Sequence, residues 1–236
     1  MIEIRNIAKR FGSLHALKGV SFAIERGTIA AIVGPNSSGK TTLIKCILGL
    51  VRHDSGSICI DGVCVNGSWQ YRKEIGYMPQ IARFPENLTV DELIGMVKDL
   101  RNVKTAGEEE LIELFRLGVE RKKPVRTLSG GTRQKVSAML ALMFNPAILI
   151  LDEPTAGLDP LASSLMKDKI LTEKKTGKTI ILTSHNMHDV EELADRIVFL
   201  LDGKVLYDGT PQELLMRMRE PTLERGIARL MENNGK

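Results

Sequence analysis

Apolar and polar positions change their period several times along this chain, and each change marks an element. Residues 2–5 and 20–24 alternate as half-buried strands do, with a Gly-containing turn near Phe11-Gly12. Residues 28–33 form a short unbroken apolar run, the pattern of a strand buried on both faces, and Gly34 opens a loop. Residues 41–50 carry helical spacing that stops near Gly49, and residues 57–60 and 63–65 read as a hairpin around Asp61-Gly62. From about residue 81 to 128 no strand signal remains. There, 90–100 and 108–117 show helical spacing on either side of a polar turn at 104–107. Residues 130–144 predict a longer helix, in which Met139 and Met143 stand one turn apart as core filler.

Beyond that helix the runs 148–151, 179–183 and 196–200 read as buried strands. The last two follow helical patterns, which implies parallel strands with crossover helices. Residues 203–208 resemble a closing edge hairpin, and 210–230 are helical and charged, interrupted at Pro221. The pattern contains no internal repeat and no low-complexity run.

The length of 236 residues fits one large domain, or one domain with an inserted subdomain. Hydrophobic residues at 43% and charged residues at 26% are enough for a core without disulfides. Aromatics at 4% argue against a stacking platform for single-stranded nucleic acid, and a net charge of +4 reads as a slightly basic soluble protein. Cys46, Cys59 and Cys64 are too few and scattered for a disulfide framework. Cys59 and Cys64 flank the Asp-Gly turn, where a soft-metal pair is one reading and small buried thiols the simpler one. The opening Met-Ile-Glu-Ile-Arg has no leader pattern, and the apolar stretches fall short of a membrane span. The expectation is a cytoplasmic chain, or one on the cytoplasmic face of something else.

Gly34-Pro35-Asn36-Ser37-Ser38-Gly39-Lys40-Thr41 fits G-x-x-x-x-G-K-[ST], follows a strand and opens a helix. Its backbone N–H groups would wrap phosphates at a positive helix start, Lys40 would reach the β- and γ-phosphates, and Thr41 would place its hydroxyl on Mg2+. The apolar run 148–151 ends in Asp152-Glu153, which puts two carboxylates at the carboxyl edge of the sheet. Asp152 suits Mg2+, and Glu153 suits an attacking water. Leu128-Ser129-Gly130-Gly131 offers a second set of bare N–H groups and a hydroxyl to an anion. Two phosphate cradles in one chain suggest that each is half of a site completed by another chain. His188, one turn after His185, reads as a solvated helix face rather than a metal partner, and Glu191, Glu192 and Asp195 as a surface-charged helix.

With these pieces in order, the chain resembles the nucleotide-binding subunit of an ABC transporter from about residue 2 to 215. The resemblance implies an α/β fold: a P-loop NTPase core with a mixed, mostly parallel sheet, an antiparallel β subdomain and an inserted helical subdomain. It places the catalytic core with its β subdomain at 1–80 and 146–210, the inserted helical subdomain with the signature at 81–145, and a short helical tail at 211–236. Phe11 stands where the family has an aromatic that stacks on adenine. Gly34 to Thr42, namely Gly34, Pro35, Asn36, Ser37, Ser38, Gly39, Lys40, Thr41 and Thr42, match the Walker A loop and helix start. Gln80 matches the Q-loop residue that contacts Mg2+ and senses the partner. Ser129, Gly130 and Gly131 match the signature, Asp152 and Glu153 the Walker B aspartate and catalytic glutamate. Ala156-Gly157-Leu158-Asp159 match the D-loop, and His185 the switch histidine.

The same resemblance implies ATP and Mg2+ as ligands, a head-to-tail dimer of two copies, and no nucleic acid. It implies a separate transmembrane permease received by Gln80 to Val90, where Phe84 and Leu88 are either contacts or core. The chain would then sit peripherally on the inner face of the membrane. Three positions depart from the family pattern: Ser37 where Gly is usual, Thr132 where Gln is usual, and Phe11 in place of the commoner Tyr. None removes Lys40, Asp152, Glu153 or His185. The ending around Pro221-Thr222-Leu223-Glu224 is similar to ATPases serving exporters. The stretch from Tyr77 to Asn87 also resembles the ATPase of the nitrous oxide reductase maturation system, linked to copper or sulfur supply. The alternative function is a non-transport ABC ATPase acting on a cytosolic protein complex.

Overall fold

The computed structural model describes residues 1–65, 67 and 69–234; the last two residues of the expected tail lie outside them. In chain order the first elements are β1 (Ile2–Phe11), β2 (Leu14–Ile24), β3 (Ile29–Val33), α1 (Lys40–Ile47), β4 (Ser55–Ile60), β5 (Val63–Cys64) and β6 (Ile75–Met78). Then come α2 (Val90–Arg101), α3 (Glu108–Leu114), α4 (Gly130–Leu142), β7 (Ile148–Asp152) and α5 (Pro160–Lys175). The chain closes with β8 (Thr179–Thr183), α6 (Met187–Leu193), β9 (Arg196–Leu201), β10 (Lys204–Gly209), α7 (Pro211–Met218) and α8 (Leu223–Asn234). These fall into two compact units, Met1–Arg72 with Thr179–Lys236, and Lys73–Lys178.

The first unit holds an antiparallel sheet in the order β2-β1-β4-β5 and a second run of strands in the order β10-β9-β3-β8. In the second run β3 pairs parallel with both β8 and β9, while β10 closes the edge antiparallel to β9. Every position of β3 and β8 is buried, which is what an unbroken apolar run requires. Polar groups pin the strand starts. Ile29 N–H donates to Asp195 Oδ2 at 2.9 Å, and Gly27 N–H to Thr179 Oγ1 at 3.2 Å. Asp195 is therefore a strand anchor, and Glu191 receives the Leu223 N–H at the start of α8. The reading of Asp195 as simple surface charge is corrected, because periodicity on one helix cannot show which distant backbone its end meets; Glu191 and Glu192 are exposed, as that reading has them.

The second unit pairs β6 parallel with β7, and α4 packs on β6. The sequence reading placed no strand at β6. Four residues containing a glycine show no alternation, and pairing with β7 supplies what local pattern does not. Gly76 is needed there, since a Cβ would lie 2.0 Å from Ala141 O. α2 starts on a capping box in which Thr89 and Glu92 satisfy each other's backbone N–H groups.

The cysteines correct a second expectation. Cys59 and Cys64 are register partners in β4 and β5 and form a disulfide. The hairpin read around Asp61-Gly62 already sets residue 59 opposite 64; what the reading as free thiols missed is that the pair is bonded. Cys46 remains free and buried, and burial pushes its thiol up to about 11.

Candidate functional site

In the first unit the phosphate loop leaves the carboxyl end of β3. Val33 pairs with Phe199 in β9, and a Cβ on Gly34 would come 2.2 Å from Leu200 O. Only glycine lets the chain turn this close to the neighbouring strand. At the other end of the loop Gly39, at φ 106°, precedes α1 with no side-chain cap, so the N–H groups of the first turn point at whatever anion lies there. Lys40 Nζ donates to Gly34 O at 2.7 Å and Pro35 O at 3.0 Å, which folds the ammonium back across the loop. Ser38 Oγ is buried and makes no hydrogen bond among the described residues. Asn36, Ser37 and Thr41 are exposed, Pro35 and Thr42 half-buried.

Ile32 pairs with Thr183 in β8, and Gly34 and His185 each stand two residues past that pair. Phosphate loop and histidine thus leave the same edge of neighbouring parallel strands. The His185 side chain is exposed, just before α6. Phe11 ends β1, 48% exposed, with Lys9 Nζ 5.2 Å from its ring centre.

The second unit repeats the device. Met78 pairs with Leu151, and Gln80 and Glu153 each stand two residues past that pair. Asp152 and Glu153 are buried, and Gln80 is exposed. Glu153 takes φ 57°, which turns the chain sharply off the end of β7. Burial, with the Asp152 charge adding to it, pushes the Tyr77 hydroxyl up to about 12. Ser129 caps α4: its Oγ accepts the Thr132 N–H at 3.1 Å and pairs with Thr132 Oγ1 at 2.9 Å. Threonine at this departure from the family pattern therefore touches the signature serine directly. Gly130 is exposed and Gly131 half-buried.

One residue in contact with the candidate site belongs to none of the motifs and falls only within the helix predicted over 130–144. Gln134 is buried on α4, and its Nε2 donates to Glu153 O at 2.9 Å. The signal was a long polar side chain at a buried helical position. No cluster of three or more His, Cys, Asp or Glu suited to a metal forms among the described residues. His188 is exposed, and the Cys59–Cys64 pair is a disulfide rather than a thiol site.

A family model described as "ABC transporter" matches residues 17–156. The chain is 35% identical over 231 residues to the linearmycin resistance ATP-binding protein LnrL of Bacillus subtilis (strain 168), covering 94% of this chain and 73% of that protein. Among solved structures, the ATP-binding subunit of an ABC transporter superposes with a TM-score of 0.91 at 28% identity, over 98% of this chain and 99% of that one. A dimeric ATP-binding cassette in a post-hydrolysis state, bound to ADP and Pi, gives a TM-score of 0.80 at 26% identity, over 89% and 98%.

Proposed function

The chain belongs to the ABC transporter family, and we propose that it powers a separate membrane permease by closing and reopening a head-to-tail dimer around ATP. It is an ATP-binding subunit and an ATP hydrolase. The observation that carries the reading is a pair of helix starts in one chain with bare N–H groups at their first turns, α1 behind Gly39 and α4 behind Ser129.

The residues take roles that follow from their chemistry. Phe11 stacks on adenine. The backbone of Gly34 to Gly39 and the open start of α1 hold the phosphates, Ser38 and Thr42 lie within that cradle, and Lys40 neutralises the β- and γ-phosphates. Thr41, Gln80 and Asp152 are all oxygen donors and suit a hard cation that completes its shell with phosphate oxygens and water. Mg2+, when bound, screens the phosphate charge. Glu153 accepts a hydrogen bond from the attacking water and orients it, and His185 donates to the γ-phosphate. Ser129, Gly130 and Gly131 of one copy close the ATP of the other.

Residues 81–145 form the inserted helical lobe, 80–90 receive the permease, and the segment from 211, described to residue 234, is the tail. No helix among the described residues is long and apolar enough to cross a membrane. In this reading a separate chain supplies the membrane span, and this one sits peripherally on the inner face of the membrane. The test is the specific ATPase activity as the purified chain is diluted. A split site requires activity per chain to fall with dilution, and Lys40→Ala to lower it by about a hundredfold at any concentration. Activity per chain that stays flat across the dilution ends the split-site reading.

A further inference from the structure

α4 begins at the signature and runs along the segment that carries the hydrolysing carboxylate. Gly131 passes so close to this segment that a Cβ would lie 3.1 Å from Gly157 O. Lys135 Nζ lies 4.0 Å from Asp159 Oδ2, at the start of α5. Between them, Gln134 is buried on a helix face shared with Ser137, Ala138 and Ala141, which stand three, four and seven residues on. Its Nε2 reaches Glu153 O at 2.9 Å, and the same carbonyl takes the Ala156 N–H at 3.2 Å. Both lone pairs of that oxygen are therefore used. Glu153 itself stands at φ 57°. A glutamate keeps that conformation only where surrounding contacts impose it.

We infer that Gln134 is a positioning residue for hydrolysis. Its amide holds the Glu153 backbone in the left-handed turn and so sets where the carboxylate meets the attacking water. Because Gln134 lies one helical turn from Gly130 and Gly131, it also ties the signature, which serves a partner's ATP, to the carboxylate that serves its own. This rests on the assignment of Glu153 made above.

The test is steady-state ATP hydrolysis by the full chain, with thermal melting as the control for folding. Gln134→Leu keeps the bulk and removes the donor. It should lower kcat about tenfold while leaving KM for ATP within about twofold, because the group acts on the reacting geometry and not on substrate binding. The decisive arm repeats the change in a Glu153→Gln background, where the residual rate should fall by less than about twofold, since there is no carboxylate left to position. A residue that merely stabilises α4 costs the same factor in both backgrounds, and that result overturns the inference. So does a folded Gln134→Leu chain with wild-type kcat. If the leucine variant does not fold, Gln134→Glu, of equal size but setting an acceptor against the carbonyl, carries the same comparison at neutral pH. Loss of fold in both makes Gln134 structural and overturns it too. A Glu153→Gln chain that hydrolyses ATP at the wild-type rate instead overturns the assignment of Glu153.

Discussion

Ser37 occupies φ 65° in the phosphate loop, a region glycine enters freely and other residues enter at a cost of about 1 kcal/mol or more. The family's usual glycine has a conformational reason here, and this chain pays for the departure in stability. Ser37→Gly should therefore stabilise the fold by about 0.5–1 kcal/mol after the larger chain entropy of glycine is subtracted. Scanning calorimetry should show a rise of about 2 °C; a fall would mean that the seryl hydroxyl contributes more than the backbone loses. The places of Lys40 at the start of α1, Asp152 at the end of β7 and His185 just past β8 were legible in the sequence, because the strand and loop patterns fix where they fall. Gln134 was not, since its role depends on which strand end the buried face of α4 meets. The αL turn at Ser37 was visible only as a departure from pattern, without its consequence.

At the scale of elements, α5 is tied into the second unit by a buried charge cluster. Glu173 accepts a hydrogen bond from Lys178 and pairs with Lys169 at 2.9 Å one turn earlier, while Lys169 also reaches Glu110 at 3.2 Å. Burial pushes the Glu173 carboxyl up, but the hydrogen bonds and charges of Lys178 and Lys169 outweigh it and hold it below its ordinary value of 4.5. A carboxyl lowered by folding stabilises the fold above its unfolded pKa, and that stabilisation is lost as pH falls through the folded one. Urea midpoints should therefore be insensitive to this group at neutral pH and fall below about pH 4.5. Glu173→Gln should cost about 3 kcal/mol at pH 7, because it strands the buried Lys178 ammonium while Lys169 keeps Glu110, and should flatten part of the acid slope. An unchanged midpoint at pH 7 would show that solvent already satisfies the lysines. Elements with strong period were legible: β8 runs over the residues the pattern predicts, and β3 and β7 differ by a residue at one end. β6 was not, because it arises from pairing rather than from local pattern, and the β4–β5 hairpin was legible while the bond between its facing cysteines was not. β1 and β2 run longer than the alternation suggested, since register shifts between them break the period without ending the ladder.

For the molecule as a whole, the α/β class, the mostly parallel strands and the antiparallel sheet could be read from alternation and motif order. Each strand-end device needs two neighbouring strands to act: Gly34 with His185 past β3 and β8, Gln80 with Glu153 past β6 and β7. The sequence supplies these residues singly, and register brings each pair together. In the proposed function the signature receives ATP from another copy, the dimer is the working unit, and blocking hydrolysis should arrest it closed. The most direct measurement is the solution mass of Glu153→Gln by light scattering, with and without ATP and Mg2+. The chain mass is 26.1 kDa. A head-to-tail site predicts that mass without nucleotide and twice that mass with it. A Glu153→Gln chain that binds ATP and still scatters as a single copy at every concentration rules out the shared site.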